Sequence, residues 1–260
     1  SKEKPSEVIA KIRGLNLEAG LAINPPTEVF EVEKFLKDIN APTGKAMVIV
    51  DNHGKNQIVV LPGANHHLLP EDIASLGTEV FQGKILLVQL EIPLETVIAS
   101  LKKARAAGMV TILNPAPGTS LAAELLELVD IVTPNEREAS ILSGYDVQDL
   151  GSAKRAAGEI IKSGIKTVVL TLGALGALLK EKEGGERYFP AFKVAVVDTT
   201  AAGDAFTGAL ACAIAEGKGL PEAVLFANAA AALATTREGA QPSLPTKKEI
   251  DGFLRKEEMR

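Results

Sequence analysis

Four short apolar runs punctuate the chain: "KILLVQL" (84–90), "MVTILN" (109–114), "DIVTPN" (130–135) and "TVVLTLG" (167–173). Each stops at a polar residue or a glycine. Their apolarity is continuous rather than alternating, as a strand covered on both faces requires, so they predict a buried parallel sheet. Between and after them, apolar residues recur at helical spacing in "PLETVIASLKKARAAG" (93–108), "LAAELLELV" (121–129) and a stretch from about 150 to 163. Gly108 suits a helix stop. This β-α-β-α rhythm predicts an α/β three-layer sandwich around a mostly parallel central sheet.

Some segments break the rhythm. "KAMVIV" (45–50) and "NQIVVL" (56–61) flank the turn-rich "DNHGK", a β-hairpin signal outside the parallel sheet. "GALLKEK" and "RYFPAF" form a second strand pair around "EGG" at 183–185. Val194–Val197 reads as a short strand, and "AVLFANAAAALATT" (223–236) and "TKKEIDGFLRK" (246–256) read as helices.

Composition narrows the function classes. With 260 residues, 46% of them apolar, the chain can bury a sizeable core. A net charge of −5 and the lack of a Lys/Arg-rich run argue against nucleic acid as a partner. Apolar stretches end well short of the ~20 residues that a membrane span needs. "SKEKPSEV" at the start lacks the apolar region of a secretion signal. The single Cys212, set among Ala and Ile, reads as a core thiol, and a cytoplasmic protein is expected.

Chemistry is concentrated after predicted strands. In "DTTAAGDAFTG" (198–208), Ala201, Ala202 and Gly203 leave the backbone amides bare before a helix. Unpaired donors and the helix dipole then point the same way, which makes an anion site. Local grammar leaves two readings of Asp204 open: an acid that complements the dipole, or a base beside an anion cradle. "TLGALG" (171–176) is a second Gly-punctuated turn. In "TPNEREA" (133–139), Asn135 is a candidate N-cap with Glu138 its capping-box partner. All three follow predicted strands, the edge at which open α/β sheets bind ligands.

"DTTAAGDAFTGAL" closely resembles the C-terminal signature of the ribokinase-like (PfkB) family of sugar kinases. "APTGKAMVIVD", "IVVLPGAN", "LLVQLEIPLE", "TILNPAPG", "DIVTPNEREA", "TLGALGA" and "REGAQPSLP" agree in order and spacing, so the resemblance covers roughly residues 41–258. It implies a ribokinase-like fold with a small β-hairpin lid and ATP-dependent phosphorylation of a sugar primary hydroxyl, with D-ribose favoured over adenosine or fructose. It makes Asp204 the base and Ala201, Ala202 and Gly203 the anion hole. Asn135 and Glu138 would organise Mg2+ and its waters, and Thr171 and Gly173 would contact nucleotide phosphates. Asn228 falls beside the adenine, and Glu91 is a sugar-side carboxylate. Asp198, Thr200, Ala234, Arg237, Gly239 and Ser243 match loops that hold a monovalent cation, K+ being expected. The hairpin implies a homodimer or other self-association.

Residues 1–40 are different. They contain no Gly-Gly pair and none of the family's N-terminal sugar-binding loop. They read as a helix, a strand (18–23) and a helix begun by Pro25, Pro26 and Thr27. "AGLAINPPT" faintly resembles the ribulose-phosphate 3-epimerase family. The expectation is an N-terminal part truncated or replaced, weak sugar binding, and a sheet left with two unpaired edges. A nucleotide-binding remnant without turnover is the alternative function.

Overall fold

The computed structural model describes residue 42, residues 44–50 and residues 56–259. The expectations for 1–40, including the helix-strand-helix and the epimerase-like stretch, lie outside the described residues. Two sheets are present among those described. β1 (Lys45–Val50) and β2 (Asn56–Leu61) pair antiparallel as a separate hairpin, with Lys45 opposite Leu61. The main sheet runs in unbroken chain order through β3 (Ile85–Val88), β4 (Val110–Leu113), β5 (Ile131–Val132), β6 (Thr167–Thr171), β7 (Gly176–Glu181) and β8 (Gly185–Pro190). β3 to β6 are parallel, and β7 and β8 continue the sheet antiparallel.

Alternate strand residues feed two cores, which is why the strand sequences are apolar throughout. Leu113, Val132, Val168, Leu170 and Leu178 pack under α2 (Leu94–Ala106), α3 (Ala123–Leu126), α4 (Glu136–Ser143) and α5 (Leu150–Lys162). Ile112, Ile131, Val169, Ala177 and Leu179 pack under α6 (Ala202–Ala215), α7 (Leu220–Ala234) and α8 (Lys247–Glu258). A one-turn helix, α1 (Pro70–Ser75), covers a smaller cluster around Ile73, Phe81 and Met109. The result is the three-layer sandwich the rhythm predicts. α6 is apolar nearly all round, buried from Ala205 to Ala213, and Phe206 is its largest anchor. Truncating Phe206 to Ala would cost about 3–5 kcal/mol.

The structure corrects several expectations. Val194–Val197 forms no strand: Val196 and Val197 are exposed, and the Val197 N–H donates to the Thr235 carbonyl at the end of α7. The helix expected over 121–129 is the single turn Ala123–Leu126. It stops there because Arg105 takes the Glu127 carbonyl (2.7 Å) and the Thr111 hydroxyl takes the Leu128 carbonyl (2.7 Å). The expectation of two unpaired sheet edges turns on residues 1–40, outside the described residues. The six described strands pair without a gap, and β3 is an edge strand among them.

Two glycines set the chain direction. Gly108 follows α2 with φ +77°, where the helix was expected to stop. Gly176 (φ +111°) starts β7 so close to β8 that a Cβ would lie 2.1 Å from the Phe189 carbonyl oxygen. Only glycine fits there.

Candidate functional site

The carboxyl ends of β3 to β6 share one edge of the sheet. α4 begins at this edge, directly after β5. Asn135 is its N-cap and accepts from the Glu138 N–H (2.9 Å), while Glu138 accepts from the Asn135 N–H (2.9 Å) and side-chain amide (3.0 Å). The capping box read from the sequence is therefore present. Glu138 is buried, and desolvation pushes its carboxyl above the ordinary range against the pull of the Asn135 hydrogen bonds. Thr171, at the end of β6, donates its N–H to the Pro134 carbonyl (2.9 Å), which ties the two strand ends together. Gly173 lies next, where a Cβ would stand 3.6 Å from Glu136 Oε1.

α6 starts differently. Its N-cap, Ala201, is left-handed (φ 59°), the one non-glycine residue with positive φ among those described, and no side chain caps the helix. A left-handed alanine costs about 1–2 kcal/mol. The Ala202 N–H turns back to the Thr199 carbonyl (3.3 Å), whereas Gly203 is exposed and a Cβ there would meet nothing within 4 Å. The approach to this helix start is open, and first-turn amides lack intrahelical acceptors. A helix end of this kind can take an anion.

Asp204 occupies the first turn, half-buried. The side-chain amide of Gln89, which follows β3, donates to Asp204 Oδ1 (3.3 Å) and to Asn114 Oδ1 (3.0 Å). Asn114 follows β4 and donates to the Thr133 carbonyl (2.9 Å) after β5. Thr207, one turn beyond Asp204, reaches the Thr133 hydroxyl (3.4 Å). Thus α6, contrary to expectation, does not follow a sheet strand, yet side chains bind its start to three strand ends. Gln89 and Asn114 are not among the residues singled out from the sequence. A signal was there: Asn114 is the polar residue that ends one apolar run, and Gln89 is the polar residue that interrupts another near its end.

Of the remaining candidates, three meet one another and the others do not join them. Asp198 Oδ1 accepts from the Thr200 N–H (2.9 Å) and hydroxyl (2.7 Å), and Oδ2 accepts from the Gly239 N–H (2.9 Å). These hydrogen bonds, those of Thr200 first, hold the Asp198 carboxyl below its usual range. Asp198, Thr200 and Gly239 therefore meet. Ala234 is buried at the end of α7, and its carbonyl accepts from the Arg237 N–H (3.3 Å). The Arg237 side chain turns away to Glu249, and Ser243, buried, donates its hydroxyl to Ala240 (2.7 Å). Among the described residues, no group of three or more His, Cys, Asp or Glu side chains could hold a metal. A cation at these loops would rest on carbonyl and hydroxyl oxygens. Asn228 is buried and donates to the Pro190 carbonyl (2.8 Å), fastening α7 to the end of β8. Glu91 lies half-buried two residues past Gln89.

Comparison with known proteins finds relatives across most of the chain. The model of the pfkB family carbohydrate kinase matches residues 31–247. The ribokinase of Haemophilus influenzae is 44% identical over 212 residues, covering 82% of this chain and 69% of that protein. Among solved structures, Arabidopsis thaliana ribokinase complexed with ribose and ATP is 36% identical with a TM-score of 0.76. The match covers 83% of this chain and 70% of that one. Thermotoga maritima ribokinase is 38% identical with a TM-score of 0.73, covering 86% and 77%. Among the described residues, no helix is long and apolar enough to cross a membrane.

Proposed function

The chain belongs to the pfkB family of carbohydrate kinases, and from that premise we propose how its sheet edge works. The protein is an ATP-dependent carbohydrate kinase, and it phosphorylates the primary hydroxyl of D-ribose to give D-ribose 5-phosphate. The observation that carries the site assignment is the uncapped start of α6, with Asp204 at its mouth and open space at Gly203.

In this reading Asp204 accepts the proton of the sugar hydroxyl as its oxygen attacks the γ-phosphorus of ATP. The amides of Ala201, Ala202 and Gly203, together with the helix dipole, face the charge spread over the transferring group. Thr171 and Gly173 line the nucleotide phosphates, Asn228 supports the adenine side, and Glu91 reads the sugar. Asn135 and Glu138 fit a hydrated Mg2+. The two bind each other, so they would hold the ion through its waters, and a desolvated carboxylate is eased by a nearby cation. Bound Mg2+ neutralises phosphate charge. The loops of Asp198, Thr200, Ala234, Arg237, Gly239 and Ser243 would hold K+. Residues 41–260 form the catalytic body, with the hairpin 45–61 as its lid. Val60 and Leu61, exposed on β2, support self-association through that hairpin in a cytoplasmic protein.

The test is ADP release from ATP and Mg2+, with and without D-ribose, with and without K+. Ribose-dependent release is expected. Release that ignores ribose, or no release, contradicts the reading and favours a nucleotide-binding remnant.

A further inference from the structure

The polarity of the amide chain at the sheet edge is not arbitrary. The Thr133 carbonyl can only accept, so the Asn114 nitrogen must face it (2.9 Å). That turns the Asn114 oxygen toward Gln89, whose nitrogen must then donate (3.0 Å). A side-chain amide nitrogen carries two hydrogens, and the second points at Asp204 Oδ1 (3.3 Å). A backbone carbonyl at the end of β5 thereby fixes that Asp204 meets a donor rather than an acceptor. The same Thr133 also meets Thr207, one turn beyond Asp204 on α6, so the relay closes on the helix that carries the carboxylate. At 3.3 Å the last bond is longer than the usual 2.9–3.0 Å, as catalytic hydrogen bonds often are before substrate closes the site.

We infer that Gln89 is a positioning residue for the Asp204 carboxylate, itself oriented by Asn114 and the Thr133 carbonyl. It holds Oδ1 of Asp204 and so sets the orientation in which the carboxylate meets the hydroxyl it deprotonates. This rests on the reading of Asp204 as the transfer base. Hydrogen bonds to charged groups amount to about ten- to a hundredfold in an equilibrium, so loss of this one is large enough to measure.

The experiment reads Asp204 directly. In protein carrying 13C-labelled aspartate, the Asp204 carboxyl resonance is identified by its loss in Asp204→Asn, at one neutral pH. Gln89→Met should move that resonance while leaving the Asp198 resonance in place, which separates lost positioning from general misfolding. Asn114→Leu, which removes the acceptor that orients the Gln89 amide, should move it in the same direction by less. In turnover, Gln89→Met should lower kcat about tenfold or more, with KM for ATP within about twofold. Gln89→Glu, an acceptor facing a carboxylate, should lose more. An Asp204 resonance unmoved in Gln89→Met overturns the inference whatever the turnover. A moved resonance in a protein whose wild type shows no sugar-dependent turnover supports the positioning and overturns the kinase reading instead.

Discussion

Two helices start at the same sheet edge, and each carries an acid at its third helical position: Glu138 in α4 and Asp204 in α6. In α4 the N-cap Asn135 is extended (φ −83°) and its side chain accepts from the Glu138 N–H, so the acid folds back and is buried. In α6 the N-cap Ala201 is left-handed and has no capping group, so Asp204 meets Gln89 across the sheet edge instead. Each acid stands three residues after its N-cap. The cap decides which acid is spent on its own helix and which meets a side chain from another strand end. In the proposed mechanism the two starts divide the work accordingly: one organises, the other reacts.

The sharpest way to break this comparison is to neutralise each acid in turn. Asp204→Asn should lower sugar-dependent ADP release by about 10²–10⁴-fold, the usual contribution of a general base, while ATP still raises the melting temperature. Retained turnover would make Asp204 merely a dipole-complementing acid. Next in size, Asn135→Ala removes the cap of α4 and should destabilise the protein by about 1 kcal/mol. That is a melting shift of about 2–4 °C. An unchanged melting temperature in Asn135→Ala would show that this cap does not hold α4. Smaller still, Ala201→Gly relieves the left-handed alanine and should stabilise by a few tenths of a kcal/mol up to about 1 kcal/mol, read by denaturant titration.

Burial raises the Glu138 carboxyl above its ordinary value of 4.5. A raised carboxyl favours the protonated folded form, so its contribution is fully present below about pH 4.5 and is lost as pH climbs through the raised value. Glu138→Gln, neutral throughout, should therefore gain melting temperature relative to wild type as pH rises from 4.5 to 8. A constant difference would mean that Glu138 is as well solvated as an exposed acid. Glu249 runs the other way: hydrogen bonds from Thr246 and Arg237 lower it to about 2. Its capping of α8 is present above pH 4.5 and lost only as pH falls toward 2.

Much of this was legible in the sequence, for local reasons. The N-x-x-E spacing fixes a capping box within one turn, and continuous apolar runs can satisfy only strands covered on both faces. The missed features depend on distant partners. Val194–Val197 has strand composition, but its amide finds the Thr235 carbonyl rather than a neighbouring strand. The helix after Leu121 is cut short by Arg105 and Thr111, which lie earlier in the chain. Gln89 and Asn114 become neighbours only through the parallel register that sets Val88 beside Leu113. No local pattern announces that pairing.

The most direct test is phosphorus NMR of ATP, Mg2+ and D-ribose incubated with wild type and with Asp204→Asn. The wild type should build the phosphomonoester resonance of D-ribose 5-phosphate as ATP is consumed, and the variant should bind ATP yet form almost none. Product formed by Asp204→Asn at the wild-type rate would contradict the assignment of the open helix start as the transfer site.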